Sequence, residues 1–175
     1  MKILNFIKNI RIAKKGDGKG IINVFNEGLK RGFSKYTGSN KLKSSKSVKT
    51  YENIFSKHNT NEFIFVAVDK QTNNIVGVCT FVAKKYGRTR HRGEVGWGVH
   101  PDFMNQGIGT TLLKKVISES KKRKFKKIEA EIAINNKVSL KLAKKCHLKI
   151  EGRKKYGLRL DNGRYVDTLI LGKSF

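Results

Sequence analysis

Two glycines stand where an apolar strand gives way to an amphipathic helix, in the stretch GEVGWGVHPDFMNQGIGTTLLKKV of residues 93–116. The first main-chain amides of a helix have no acceptor within it, and they lie at the positive end of the helix dipole. Because glycine lets the backbone approach a ligand closely, the amides from Gln106 to Thr110 could surround an anion, most naturally a phosphate. A glycine-rich turn that simply starts a helix explains the same pattern, so both interpretations stand on these residues alone.

Hydrophobic periodicity predicts the elements that must position this loop. Strands are expected at NIRIAKK, EFIFVAVD, NIVGVCTFVAK, RGEVGWGVH, KIEAEIAI, LKIEGRKKYGL and RYVDTLILGK. Helices are expected at GKGIINVFNEGLKRG, at VKTYENIFSKH, directly after the glycine loop from Ile108, and at NKVSLKLAKKC. The order β α α β β β α β α β β joins an antiparallel meander to a strand–helix–strand crossover, which makes two strands parallel. The fold class is therefore α/β (α+β by some conventions), with a mixed, mostly antiparallel sheet of about seven strands and about four helices.

The length of 175 residues fits a single domain, 1–175, with room to bury a sizeable core. Between the first two helices, residues 34–49 are rich in Lys, Ser and Gly and form a candidate mobile loop. A second glycine cluster, GDGKG at residues 16–20, lacks the third glycine and the later acidic residue of a dinucleotide site. We interpret it as a strand-to-helix loop.

Membrane and metal chemistry are not indicated. The longest strongly apolar run, Phe63–Val68, is too short to cross a bilayer, and the first ten residues lack the pattern of a signal peptide. The only cysteines, Cys79 and Cys146, have no partners at metal-ligand spacing, so we expect no metal site and no disulfide framework. The expectation is a soluble protein of the reducing cytoplasm.

The formal charge of the chain is +26, from 39 basic and 13 acidic residues. Such a field attracts polyanions, among them RNA, ribosomes and phosphate-bearing cofactors, and it repels polycations such as polyamines. A lysine-rich proteome with biased codons would give the same composition. The charge by itself therefore does not name a partner.

The glycine loop and its surroundings resemble the acetyl-CoA-binding motif of the GNAT superfamily of N-acetyltransferases. That motif reads Arg or Gln, two residues, Gly, any residue, then Gly or Ala, and here it is MNQGIG, Met104–Gly109, preceded by VHPDF. Downstream, NKVSLKLAKKCHL and NGRYVDTLILGK resemble the family's next helix and its closing hairpin strand. The resemblance covers the chain from about Asn9 to its end. It implies a GNAT-like fold, acetyl-CoA as cofactor and CoA as product.

The resemblance also implies which residues hold the cofactor. Two strands are expected to splay apart so that the pantetheine arm can hydrogen-bond to the first of them, and the glycine loop is expected to hold the pyrophosphate. The implied cofactor-binding residues are Val99, Met104, Asn105, Gln106, Gly107, Ile108, Gly109, Thr110, Asn136 and Ser139.

Three departures from the family pattern affect the expected site. Met104 stands where Arg or Gln is usual, which matters little if main-chain amides hold the pyrophosphate. His147 and Leu148 stand where Gly and Phe are usual, which changes packing. Ala143 stands where many members place a tyrosine that reprotonates the leaving thiolate, so the general acid is unassigned. Tyr156 and Tyr165 are the nearby tyrosines that remain as substitutes.

Two glutamates are candidate catalytic bases, because an amine must lose its proton before it can attack a thioester. Glu94 lies on the strand that leads into the glycine loop, where GNAT members with a glutamate base commonly carry one. Glu131 lies on the next strand, five residues before Asn136, at the position of the base in some protein N-terminal acetyltransferases. Strict alternation in KIEAEIAI places Glu131 on the same side of that strand as Glu129. The alternative for both residues is that they are ordinary acids of a sheet surface, and an ordered water is a third candidate for the base.

These features together predict an N-acetyltransferase that moves an acetyl group from acetyl-CoA to a primary amine by direct attack. The acceptor is expected to be a protein N-terminus, a lysine side chain, or a small-molecule amine that carries an anionic group. The alternative, from another functional class, is a basic RNA- or ribosome-associated protein of the same fold that binds CoA without turnover. A homodimer is also left open.

Overall fold

The computed structural model describes residues 7–33, 36, 44, 48–52 and 61–175. Its strands are β1 (Ile7–Ile12), β2 (Glu62–Asp69), β3 (Ile75–Ala83), β4 (Arg92–Val99), β5 (Lys127–Ala133), β6 (Lys149–Arg159) and β7 (Tyr165–Ser174). They form one sheet in the order β1-β2-β3-β4-β5-β7-β6. Every neighbouring pair is antiparallel except β4 and β5, which are parallel. The predicted mixed, mostly antiparallel sheet is confirmed.

The helices follow the predicted order along the chain. They are α1 (Gly18–Lys30), α2 (Ile108–Lys122) and α3 (Lys137–Lys145), with short 3₁₀ turns at Gly87–Thr89 and Pro101–Phe103. Residues 48–52 are helical, where the second predicted helix begins, and residues 53–58 of that prediction lie outside the described residues. Most of the predicted loop 34–49 also lies outside them, although Val48 and Lys49 at its end are helical.

The first strand differs from its predicted span, because NIRIAKK extends three residues beyond the end of β1. After Ile12 the chain turns, and the amide of Asp17 donates to the carbonyl of Lys14 at 3.1 Å. The Asp17 carboxylate in turn accepts from the amide of Lys14 at 2.8 Å. This turn ends the strand and leads directly into α1.

Helices cover both faces of the sheet at β2 and β3. On one face, Leu112, Leu113 and Val116 of α2 are fully buried in a core that includes Phe81 of β3. On the other face, α1 packs its apolar side against β2 and β3. Strand β2 is buried along seven of its eight residues because helices cover it on both sides.

Gly93 is fixed by the aromatic core. A β-carbon at this position would lie 2.3 Å from Cζ of Phe81 and 2.8 Å from the carbonyl oxygen of Val82. Phe81 cannot move away easily, since its ring stacks on Phe63 at 4.8 Å and contacts Phe125 at 4.5 Å between centroids. The start of β4 therefore requires a residue without a side chain.

We expect Gly93→Ala to lower the free energy of unfolding by about 1–3 kcal/mol, because the added methyl group overpacks a rigid site. Urea unfolding at neutral pH measures this. Gly87→Ala is the matched control, since nothing lies within 4 Å of a β-carbon built there, and it should change stability by no more than about 0.5 kcal/mol. Equal effects of the two substitutions would contradict the packing described here.

Candidate active site

A compact turn joins β4 to α2. After Val99, the side chain of His100 accepts a hydrogen bond from the amide of Asp102 at 3.4 Å and starts the Pro101–Phe103 turn. Asn105 then has a φ of 60°, and Gly107, the residue that caps α2, has a φ of 77°. Two left-handed residues in close succession thus redirect the chain from the strand into the helix, and the second of them is a glycine, as such a conformation favours.

The main-chain amides of this turn are available to a ligand. The first hydrogen bond of the helix start runs from the amide of Thr111 to the carbonyl of Gly107 at 3.0 Å. Within the described residues, the amides from Asn105 to Thr110 have no acceptor. The side-chain oxygen Oε1 of Gln106 is buried and also has no partner among those residues. The predicted phosphate loop, which comprises Gln106, Gly107, Ile108, Gly109 and Thr110, therefore has the donors that an anion requires.

The two glycines of the loop have different roles. Gly107 provides the left-handed turn. Gly109 is helical and buried, and a β-carbon there would lie 2.7 Å from Cδ1 of Leu142 and 3.5 Å from Cγ2 of Val99. Gly109 thus lets the start of α2 pack closely against α3 and the end of β4. Close approach of a ligand to Gly107 therefore stays a prediction, whereas the contacts of Gly109 are with the protein.

A gap opens between the two parallel strands. β4 pairs with β5 over only three residues, and the last pair is Glu94 with Glu129. Beyond that pair, β4 continues along β3 as far as Val99, while β5 continues along β7 as far as Ala133. The strands therefore separate in the direction of the glycine loop, as the resemblance implied.

The edge of β4 that faces this gap carries unpaired main-chain groups. The amide of His100 donates to Val76 on β3 at 2.8 Å. Because successive residues of a strand direct their amides and carbonyls to opposite sides, those of Val99 and Trp97 point toward β5, with which neither residue pairs. Val99, the predicted partner of the pantetheine arm, is thus placed where an extended ligand could add as a strand.

The start of α3 borders the same region. The side chain of Asn136 caps this helix, and its Oδ1 accepts from the amide of Ser139 at 3.1 Å. Cys146, at the other end of α3, donates from its buried Sγ to the carbonyl of Thr110 at 3.7 Å. The helix is therefore fixed against the glycine loop, and at least part of the role of Asn136 is structural.

The two candidate bases lie on one face of the sheet, on either side of the closed end of the gap. Glu94 forms an ion pair with Lys84, and its carboxylate is 63% exposed. Glu131 forms an ion pair with Lys154 at 2.5 Å and accepts from the hydroxyl of Thr168 at 2.6 Å. The charge of Lys84 also acts on Glu131, and the charge of Glu94 acts on Lys154. The structure thus brings both carboxylates into one cluster with two lysines.

These pairings determine the ionisation of Glu131. Partial burial favours its neutral form, but the hydrogen bonds from Lys154 and Thr168 outweigh burial, so the pKa of Glu131 lies below its ordinary value of 4.5. The same ion pair raises the pKa of Lys154. Glu131 is therefore ionised at neutral pH, and both of its oxygens have partners.

A second ion-pair group closes the gap at its base, and sequence reasoning did not identify it. One guanidinium nitrogen of Arg92 donates to both oxygens of Glu129 at 2.8 Å, which links β4 to β5 where their pairing ends. Lys127 bridges Glu129 at 3.2 Å and Glu151 of β6 at 2.6 Å. Burial would raise the pKa of Glu129, but these cations lower it. The alternation in KIEAEIAI placed Glu129 beside Glu131 on one face, and that was the only signal available.

The general acid remains unassigned by geometry. Ala143 is fully buried in the main core, so no hydroxyl occupies the place of the family's tyrosine. Burial also raises the pKa of the Cys146 thiol above its ordinary value, which makes it a poor participant. Tyr156 and Tyr165 contact each other edge to face at 5.7 Å on the β6–β7 hairpin, where both are exposed.

The glycine cluster at residues 16–20 binds a carboxylate of the protein itself. The amides of Gly16 and Gly18 donate to the carboxylate of Glu52 at 2.9 and 2.8 Å, so a protein side chain occupies the start of α1. A cavity of about 640 Å³ lies beside it, lined by Arg11, Asp17 and the β2–β3 turn, and no residue of the glycine loop lines it. We assign no ligand to it, because Arg11 and Asp17 already pair with each other at 2.6 Å.

Within the described ranges, no helix has the length and apolar character that a membrane span needs. The same residues contain no group of three or more His, Cys, Asp or Glu side chains arranged to hold a metal ion.

An extended gap that ends at a helix start with free amides suits a CoA thioester, whose arm and diphosphate require main-chain partners in that order. The family model described as acetyltransferase (GNAT) family matches residues 29–148, more than half of the chain. The chain belongs to the GNAT acetyltransferase family. It is therefore an acetyltransferase that uses acetyl-CoA, as the resemblance implied.

Solved GNAT structures share this fold at low sequence identity. A GNAT acetyltransferase from Streptococcus pneumoniae is 20% identical with a TM-score of 0.84, and the match covers 95% of this chain and 99% of that one. A ribosomal-protein-alanine N-acetyltransferase from Brucella melitensis is 21% identical with a TM-score of 0.82 over 95% and 99% of the two chains. A Salmonella typhimurium protein solved with its cofactor acetyl-CoA is 17% identical with a TM-score of 0.82 over 95% and 92%. None of the curated proteins compared matches the chain.

We expect Gly107→Val to weaken acetyl-CoA binding about tenfold or more, because a β-branched residue is strained at a left-handed φ and would turn the amides away from the ligand. Isothermal titration calorimetry with acetyl-CoA measures this. Gly163→Val is the matched control, since Gly163 has a φ of 81° in the β6–β7 turn and is equally strained by the change. Unaltered binding by the Gly107 variant would contradict the assignment of the loop.

Proposed function

We propose that this GNAT protein acts as a single domain, residues 1–175, and acetylates the N-terminal α-amine of a protein or peptide. One observation carries the proposal: the gap between β4 and β5 has free amides at its open end and a cluster of carboxylates at its closed end. The two cysteines are free and buried, which fits the reducing cytoplasm where we place the protein.

The residues present fit acetyl-CoA. The amides of Gln106 to Thr110 would bind the diphosphate, and the main-chain groups of Trp97 and Val99 would bind the extended arm. Met104 and Asn105 form the turn that presents these amides, and Asn136 and Ser139 border it at the start of α3. When bound, acetyl-CoA supplies the activated thioester carbonyl that the amine attacks directly.

Glu94 is the better supported base of the two candidates. Glu131 has both oxygens occupied, by Thr168 and Lys154, and its lowered pKa makes it a weak base. Glu94 has one oxygen paired with Lys84, whereas its Oε2 has no partner within the described residues. That oxygen can accept a proton from the amine directly or through a water molecule. We assign Glu131 to positioning Lys154 and Thr168 at the closed end of the gap.

The protonation of the acceptor favours an α-amine. With an ordinary pKa near 8, about a tenth of α-amines are neutral at pH 7, against far fewer than a hundredth of lysine side chains with a pKa near 10.4. The lowered pKa of Glu131 makes that carboxylate a weak base, so the site suits an amine that loses its proton easily. The Brucella protein named above is described as a ribosomal-protein-alanine acetyltransferase, which accords with this acceptor class.

The electrostatic field narrows the acceptor further. The chain has a formal charge of +26, and Lys84 and Lys154 lie beside the carboxylates at the closed end of the gap. A polycationic acceptor such as a polyamine would be repelled. We therefore propose a peptide whose first residues are acidic, or otherwise a primary amine that carries an anionic group.

The alternative function is that of a basic RNA- or ribosome-associated protein that keeps the fold and binds CoA without turnover. The observation that favours it is Ala143, a buried alanine where a general acid is usual. A thiol-release measurement separates the two functions, since a protein that only binds CoA releases no thiol above background.

In a panel of acceptors, we expect thiol release from acetyl-CoA to be fastest with an acidic peptide that has a free α-amine. The same peptide with a blocked N-terminus and one lysine should react at least about tenfold more slowly at pH 7, because its amine is protonated. A polyamine should give no release. The rate with the α-amine peptide should rise with pH and level off near about pH 8. Faster thiol release with the lysine peptide would overturn the proposed acceptor. Absence of thiol release with every amine would favour the alternative function, CoA binding without turnover.

We expect Glu94→Gln to lower kcat/KM about 100-fold, within the range for loss of a general base, with an unchanged Kd for acetyl-CoA. Glu131→Gln is the comparison, and its effect on kcat/KM should be less than about tenfold, because Glu131 has a positioning role. Because the pKa of Glu131 is lowered from 4.5, Glu131 stays ionised above that pH. The Glu131→Gln substitution should therefore leave the alkaline limb of the plot of kcat/KM against pH unchanged. A larger loss of kcat/KM in the Glu131 variant than in the Glu94 variant would show that Glu131 is the base and that Glu94 has the positioning role.

A further inference from the structure

Two lysine- and arginine-rich segments meet at the end of the molecule opposite the glycine loop. Residues 84–92 and 121–127 together contain eleven Lys and Arg and no Asp or Glu. The first segment joins β3 to β4, and the second runs from the last turn of α2 into β5. We call the exposed surface of these two segments the basic face.

The two segments form one continuous surface. The amide of Lys126 donates to the carbonyl of His91 at 2.7 Å, and Arg92 pairs with Lys127 in the parallel ladder. Between the segments lies a depression of about 340 Å³, lined by Asn61, Arg90, His91, Arg123, Lys124 and Phe125. Five of these six lining residues belong to the basic face.

Most charges of the basic face are not neutralised by the protein. Four of its cations have ion pairs: Lys84 with Glu94, Arg92 and Lys127 with Glu129, and Arg123 with Glu119. The other seven are exposed and make no ion pair with any of the chain's 13 acidic residues, all of which are described; they are Lys85, Arg88, Arg90, Lys121, Lys122, Lys124 and Lys126.

Helix electrostatics explain only part of this pattern. Lys121 and Lys122 lie in the last turn of α2, where cations interact favourably with the helix dipole. The helix dipole does not explain Lys85, Arg88 and Arg90, because the β3–β4 connection contains only the short 3₁₀ turn Gly87–Thr89 and no α-helix. Repulsion among so many like charges in a small area destabilises the folded protein. A polyanion bound to the basic face would reduce this repulsion and stabilise the fold.

An exposed aromatic residue indicates which polyanion. Tyr86 is 83% exposed in the middle of the β3–β4 connection, and Lys85 and Arg88 beside it are also exposed. Basic side chains that follow phosphates, together with an aromatic ring on which a base can stack, are the features of single-stranded nucleic acid binding. An acidic peptide would use the charges but has no need of the exposed ring.

We propose that the basic face binds single-stranded nucleic acid through its phosphates, with one base stacked on Tyr86. The face is separated from the glycine loop by the length of α2, which has 15 residues and so spans about 22 Å. The nucleic acid and the diphosphate of acetyl-CoA can therefore bind at the same time.

The test is fluorescence anisotropy with a labelled single-stranded RNA of about 20 nucleotides, over a series of salt concentrations. The triple variant Lys85→Gln, Arg88→Gln, Arg90→Gln should bind at least about tenfold more weakly at 0.1 M salt. Its slope of log K against log salt should be shallower by about 2, since each phosphate contact to a single strand contributes about 0.7. Tyr86→Ala should weaken binding about fivefold or more with the slope unchanged, because stacking does not release counterions.

The matched control is Lys15→Gln, Lys19→Gln, Lys70→Gln, which removes three exposed lysines outside the basic face. It makes the same change in net charge and should alter the RNA affinity by less than about threefold. Every variant should keep the thermal unfolding temperature and the acetyl-CoA affinity of the parent protein, which shows that it is folded. Equal weakening in the two triple variants would show that binding follows net charge alone and overturn the proposal. So would absence of RNA binding by the parent protein at 0.1 M salt, or displacement of RNA by polyglutamate at an equal concentration of charge.

Discussion

The parallel pairing of β4 with β5 stops after three residues, and the features of the site depend on that interruption. A sheet that remained paired would satisfy the main-chain groups of Trp97 and Val99 internally and leave no room for an extended ligand. Arg92 and Glu129 link the strands where they still pair, and the close contact of Gly109 with Leu142 fixes the helices at the open end. The protein thus holds unpaired main-chain donors in a rigid frame, which a ligand can satisfy at little cost in ordering.

The charge balance of the site differs from that of the chain. Although basic residues greatly outnumber acidic ones, Glu94 and Glu131 each have a lysine within ion-pair distance. This pairing keeps Glu131 ionised through the neutral range. The positive charge of each lysine also weakens the attraction between its carboxylate and a cationic acceptor. The unpaired cations of the basic face lie at the far end of α2 from the glycine loop, so the polyanion and the diphosphate of acetyl-CoA would bind to different surfaces.

Two of the described helices follow glycine clusters, and of these two helix starts only the one before α2 is available to a ligand. The amides at the start of α1 bind the carboxylate of Glu52, whereas the amides before α2 have no acceptor in the described chain. Glycine spacing alone does not distinguish the two cases. The distinction depends on whether another segment brings an anion to the helix start, which is a property of tertiary contacts.

The sequence by itself determined the element order, the mixed sheet and the position of the glycine loop, because the period of apolar residues changes visibly between strands and helices. It also placed Glu129 and Glu131 on one face of β5 by simple alternation. Tertiary structure alone decided that Gly109 serves packing and that Glu94 and Glu131 share a cluster with Lys84 and Lys154. It also decided that Arg92 and Glu129 close the gap. These facts depend on contacts between residues tens of positions apart, and local sequence patterns carry no information about such distances.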